Sequence, residues 1–281
     1  MKRWLIGGLV GIAIAAAAVW YWTDVRVERA AKSGTPYTAV GTPLPEDETT
    51  TSSPAAQEAS PATVTWSFTG SEWKADGAAP ACEEPLVMAA PVELTTVTHI
   101  LYPGQTRGGN YKPHGGFRFN NSTDNMVSVT APMDAVVVNG ARYLEGGETQ
   151  YTFDFIASCG IMYRMGHFLE LTPKFQAIAE TFPPAKEDDS RTTEVNPPVA
   201  VTAGEEIATA IGVRTGTNTF VDWGVYDLRQ PNGASGLPAE DQQLAPYAVC
   251  WFDYLSAADE ATVRGLPPGD PESGTTSSYC K

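Results

Sequence analysis

Three histidines occur in the chain, His99, His114 and His167, and His114 stands in the stretch best suited to chemistry. It enters the Gly-Gly step of "NYKPHGGFRFNN", Asn110 to Asn121, which leaves on alternating aromatic and polar residues. Imidazole is the commonest metal-ligating side chain. A catalytic zinc takes about three protein ligands from His and Asp/Glu and keeps a fourth position open for water. That water becomes a nucleophile near neutral pH, and a further histidine helps to move protons. A carboxylate four residues after His114 would complete a ligand pair. The residue there is Arg118, whose permanent positive charge repels a cation.

The elements that would position such residues begin at Val64. Short runs rich in Val, Thr, Phe and Tyr alternate with Gly, Pro and Asn, which predicts strands and turns. "VTWSFTGSEW" reads as a strand and turn, and Glu93 to Gly104 as a strand ending at Pro103-Gly104. "MVSVTAPMDAVVVNGARYLEGG" offers two strands around Ala131-Pro132 and a turn at Asn139-Gly140. Gln150 to Leu171 reads as a hairpin turning at Cys159-Gly160, and "EEIATAIGVRTG" and "TFVDWGVYDLR" complete the set. Short helices are expected at "PAEDQQLAPYAV" or "SAADEATVRG". Pro183 to Pro198 reads as a charged, solvated loop, and His99 as a plain strand position. Trp66, Phe68 and Trp73 read as core or edge packing, and Trp251, Phe252 and Tyr254 as packing around a disulfide. The expected fold class is mainly β, an antiparallel-sheet domain over residues 64–281.

Before that domain the sequence divides in two. Lys2 and Arg3 precede an uncharged run from Trp4 to Trp22, long enough for the roughly 17–25 residues of a membrane span. Trp20, Tyr21 and Trp22 would form its far aromatic belt, with the basic start inside the cell. Residues 1–29 thus read as a signal-anchor helix with its flanks. The competing expectation is a signal peptide cut near Ala16-Ala17-Ala18. Residues 30–63 are rich in Ser, Thr, Pro and Ala and read as a disordered spacer. Either way the domain is expected outside the cytoplasm. The four cysteines, Cys82, Cys159, Cys250 and Cys280, suit an oxidising compartment. Three connectivities are possible. A Cys250–Cys280 bond would fasten the tail and leave Cys82 to Cys159. With 18 Lys+Arg against 33 Asp+Glu and a formal charge of −15, a nucleic-acid groove is not expected.

Five segments fall in a telling order: "HGGFR" (His114 to Arg118), "VTAPMDAVVVNG" (Val129 to Gly140), "YRMGH" (Tyr163 to His167), "VTAGEEIATAIGVRTG" (Val201 to Gly216) and "FVDWGVYDLR" (Phe220 to Arg229). From Tyr102 to Arg229 the chain resembles the LytM/lysostaphin-type zinc endopeptidases, which cut peptide cross-links in bacterial cell walls. The resemblance implies an H-x-x-x-D pair at residues 114 and 118, a catalytic histidine at 167 and an H-x-H pair at 222 and 224. Here Arg118 replaces the aspartate, Asp222 the first histidine of the last pair, and Gly224 the ligating one. The resemblance therefore implies a degenerate pocket at His114, Arg118, Asp222 and Gly224, holding no zinc, with Arg118 paired to Asp222 across it. The expected function is a membrane-anchored binding or regulatory module at the cell envelope, with peptidoglycan or an envelope protein as partner. One alternative is an active zinc endopeptidase whose ligands are rebuilt from His114, Asp222 and His167, with His167 catalytic. Another is a structural or adhesive β-domain.

Overall fold

The computed structural model describes residues 64–281 apart from Asn121, Thr123, Asp124, Asp188, Gly216, Thr217, Gly236, Ala239 and Glu240. All belong to the compact unit Glu58–Lys281. The expected anchor and spacer lie outside the described residues. Among the described ones, no helix is long and apolar enough to cross a membrane.

The domain is mainly β, as its alternating runs require. Two small hairpins, β1 (Trp66–Phe68) with β2 (Trp73–Ala75) and β4 (Gln105–Arg107) with β5 (Asn110–Lys112), flank one large antiparallel sheet. Its strands are β3 (His99–Leu101), β6 (Gly115–Arg118), β7 (Val129–Thr130), β8 (Ala135–Glu145), β9 (Glu148–Ile156), β10 (Ile161–Leu171), β11 (Thr193–Val201), β12 (Glu206–Ile211) and β13 (Phe220–Asp227). The order is β11-β8-β9-β10-β13-β6-β3, with β12 joined to β10 and β7. Helices α1 (Pro173–Ala179) and α2 (Ala257–Gly265) complete the fold. Ser256 caps α2, its hydroxyl accepting from the Asp259 amide at 3.2 Å, with Asp259 and Glu260 in the first turn and Arg264 in the last. Each sign thus favours its end of the helix dipole.

Alternation sorts these strands into two faces. One carries Phe117, Val221, Trp223, Val225, Tyr163, Met165, Phe153 and Phe155 into the main core, joined by Trp251 and Phe252. The other places Ile156, Met162, Tyr226 and Leu228 beneath Trp73 and Leu244, Tyr247 and Ala248. Trp66 and Phe68 pack against this second cluster, so the β1–β2 aromatics serve packing. Cys82–Cys159 and Cys250–Cys280 are the two disulfides.

Three local expectations are corrected. β8 continues through Asn139-Gly140, with a shift of register just before it, and its hairpin with β9 turns at Gly146-Gly147, where φ is +60° and +80°. Gly140 is small for another reason, since a Cβ there would lie 2.4 Å from the Phe182 ring. The expected loop Pro183–Pro198 ends in strand: from Thr193 onward it opens β11, an edge strand beside β8. Pairing shifts between Glu194 and Val199, so Pro197 and Pro198 sit where the ladder needs no donor. Among the described residues "PAEDQQLAPYAV" forms no α-helix and has a 3-10 turn at Ala245–Tyr247, whereas α1 was not foreseen.

Candidate functional site

The sheet forks at one residue. β10 pairs with β13 from Ile161↔Asp227 to Gly166↔Asp222, then with β12 from Phe168↔Ile211. His167 stands between, in a bulge, with φ +65°. Such a conformation is uncommon outside glycine, and a bulge re-aims its side chain. Without it, alternation would send His167 to the opposite face from Gly166 and Asp222. The Gly212 amide donates to the His167 carbonyl at 2.7 Å, fastening the fork.

The two glycines of "HGGFR" bring β6 close to its neighbours. A Cβ on Gly115 would lie 2.1 Å from the Leu101 carbonyl oxygen, and one on Gly116 2.3 Å from that of Val221. Gly116 faces Asp222 across the ladder, so this close approach sets His114 beside β13. His114 Nε2 lies 3.0 Å from Asp222 Oδ2, and His167 Nε2 lies 3.2 Å from the same oxygen. The three side chains are 19%, 21% and 15% exposed.

The protonation state of His167 follows from its partners. Gln150, fully buried, donates its amide nitrogen to the Gly212 carbonyl at 2.9 Å, which leaves its oxygen facing the ring. That oxygen lies 2.7 Å from His167 Nδ1, and Glu145 Oε2 lies 3.3 Å from the same nitrogen. Both nitrogens therefore face acceptors, and the ring is an imidazolium that donates from each. Burial opposes that charge, but Asp222 and Glu145 overcome it and push the pKa up to about 9. Burial likewise opposes ionisation of Asp222, yet His114 and His167 hold its carboxyl well below the usual range. The hydrogen bond from His167 also lowers Glu145. The Phe220 ring covers His167 at 4.2 Å between centroids, and Tyr143 meets it edge-on.

His114, Glu145, His167, Phe220 and Asp222 line a groove of about 580 Å³ together with Arg107, Asn110, Lys112 and Arg164. Arg164 is bound to the buried Asp154, with Nη2 to Oδ2 at 2.8 Å. The structure thus brings His114, Asp222 and His167 together, with Gly224 directly beside His114: a Cβ there would lie 2.9 Å from the His114 Cβ and 2.5 Å from the Tyr226 hydroxyl. It does not bring Arg118 in. The expected Arg118–Asp222 ion pair is replaced by bonds from Arg118 Nη2 to Asn218 Oδ1 at 2.7 Å and from Nη1 to the Gly269 carbonyl at 2.9 Å. Both oxygen-facing positions beside Asp222 are taken by the His114 and His167 rings, which leaves no place there for the guanidinium.

The donors of this set face one another in the structure. The Asp222 oxygen is shared between two rings, and His167 Nδ1 is turned to Gln150 and Glu145. The implied ligand positions hold a cation turned elsewhere, Arg118, and a residue without a side chain, Gly224. Among the described residues no group of three or more His, Cys, Asp or Glu is arranged to hold a metal ion.

Sequence reasoning missed Glu145, Gln150 and Arg107. Glu145 and Gln150 flank the Gly146-Gly147 turn that was misplaced, so the correct turn would have put both on one hairpin end. Nothing local marks Gln150 as buried. Compared with known proteins, the chain matches no family model, no curated protein and no solved structure.

Proposed function

We propose that this chain is a LytM/lysostaphin-like domain that binds rather than cuts, its groove taking a peptide of the cell wall or of an envelope protein. One observation carries the reading: His167 is engaged at both ring nitrogens while Asp222 lies between two imidazoles. A hydrolase of the resembled kind needs a lone pair to accept a proton and open ligands for a metal. Here hydrogen bonds within the protein take up both. The groove remains, walled by aromatic and cationic side chains suited to an extended polar ligand. The basic, apolar amino terminus supports a single-pass anchor with the domain outside the cytoplasm, and the disulfides suit that compartment.

The test is co-sedimentation of the full chain with purified peptidoglycan sacculi, with soluble fragments followed by chromatography. The expected result is a chain that sediments and releases no fragments, with or without added zinc. Fragment release would restore the peptidase. A chain that stays in solution would leave the structural or adhesive domain as the better reading.

A further inference from the structure

We propose that a smaller pocket joined to the groove is a carboxylate subsite built by Arg107 and Arg118, taking the C-terminal carboxylate of a peptide that lies in the groove. The pocket is about 260 Å³, and Leu101, Arg107 and Phe220 line both it and the groove. Its remaining wall includes Arg118, Asp270 and Pro271.

The chain is strongly acidic, and most arginines elsewhere in the domain have found carboxylates, among them Arg164 with Asp154, Arg214 with Glu170, Arg229 with Asp227 and Arg264 with Asp253; Arg142 instead donates to the Pro183 carbonyl. Arg107 and Arg118 have found none either. Neither lies within 4.0 Å of a carboxylate among the described residues, although both face one small pocket. Neutral acceptors hold them instead. Arg107 donates to the Tyr102 carbonyl at 2.8 Å and the His114 carbonyl at 3.0 Å; Arg118 donates to Asn218 and Gly269. Such bonds fix a guanidinium without cancelling its charge. Arg118 Nε is buried and has no hydrogen-bond partner among the described residues. The one acid in the wall, Asp270, turns its Oδ1 to the amides of Glu272 and Ser273.

Two prearranged cations call for a planar monoanion, which guanidinium recognises well. The pocket volume suits a carboxylate, and Leu101, Phe220 and Pro271 suit the carbon beside it. Asp270 close by disfavours a doubly charged phosphate. The proposal takes its peptide from the groove reading above.

Calorimetric titration of the full chain with acetyl-Ala-Ala-Ala and with its C-terminal amide tests it. The acid is expected to bind roughly tenfold tighter or more, as for a charge-assisted pair, and the preference should shrink as salt rises. Arg118→Gln should abolish the preference and Arg118→Lys keep part of it. If Arg118→Gln fails to fold, the acid–amide contrast on the unaltered chain still decides. Equal affinity, or no binding of either peptide, would overturn the subsite even if the chain sediments with sacculi. Competition by inorganic phosphate far stronger than by acetate would overturn its assignment to carboxylate. A preference for the acid without sedimentation would leave the subsite standing and sink the cell-wall reading.

Discussion

Strands β10 and β13 carry two chemistries on opposite faces of the same backbone. Toward the core, Tyr163 and Met165 meet Val225 and Trp223, and Trp223 lies 5.8 Å from the Phe117 ring and 4.5 Å from that of Trp251. Toward the groove, Arg164 and Gly166 meet Gly224 and Asp222. The core face is held by apolar area and close packing, which tolerate pH and salt. The groove face is held by charges that cancel one another in partial contact with water. A ligand face can therefore be built on strands whose stability comes from behind it.

If that division holds, cutting the core should cost most. Trp223→Ala leaves a cavity between Phe117 and Trp251 and should lose about 3–5 kcal/mol, read as a lower denaturant midpoint. A loss under about 1 kcal/mol would mean the stack contributes little. The largest effect on the opposite face should come from Asp154→Ala, which strands the Arg164 guanidinium without its partner and should cost about 3 kcal/mol. Guanidinium or urea melts decide it; a neutral result would show that Arg164 reaches water instead. Next comes Cys280→Ser. The tail it fastens holds the β4–β5 hairpin through Gln105 to the Gly274 carbonyl, Ser277 to the Pro103 carbonyl and Tyr111 to the Tyr279 hydroxyl. Opening this loop should cost about 2–3 kcal/mol and weaken the Arg107 subsite, whereas an intact affinity for the acid peptide would show the hairpin stands without its tail.

The sequence made the β class, the β9–β10 hairpin, α2 and both cysteine pairs legible, because each rests on local pattern or chain position. It did not make the fork at His167 legible. That feature needs β10 to change partners at one residue, and partner choice is a tertiary matter that local pattern does not encode. Asn139-Gly140 resembled a turn because Asn-Gly usually is one; the Phe182 ring explains the glycine instead. His114, Asp222 and His167 were singled out by the resemblance, and their convergence needed the fork. The Arg118–Asp222 pair failed because charge matching considers signs alone, while geometry had already set two imidazole rings against Asp222.

The finest way to separate the two faces is pH, because only the groove should respond. His167 has an ordinary pKa of 6.5 and is pushed up to about 9 in the folded chain. A raised pKa contributes stability that is complete below 6.5 and is lost as pH rises through 9. Asp222 runs the other way: its stabilisation is present above 3.8 and is lost as pH falls through its lowered folded value. The groove network should thus be strongest between roughly pH 4 and 6.5. From pH 6.5 to 9.5 the unaltered chain should lose about 2 kcal/mol, allowing for the partial solvent contact of His167. His167→Gln should lower stability at pH 6 and flatten that decline, since a neutral amide has no proton to lose. Trp223→Ala should shift the whole curve downward and leave its slope alone. Parallel slopes for the unaltered chain and His167→Gln would mean that the imidazolium adds nothing, and the clamp at the centre of the binding reading would lose its energetic basis.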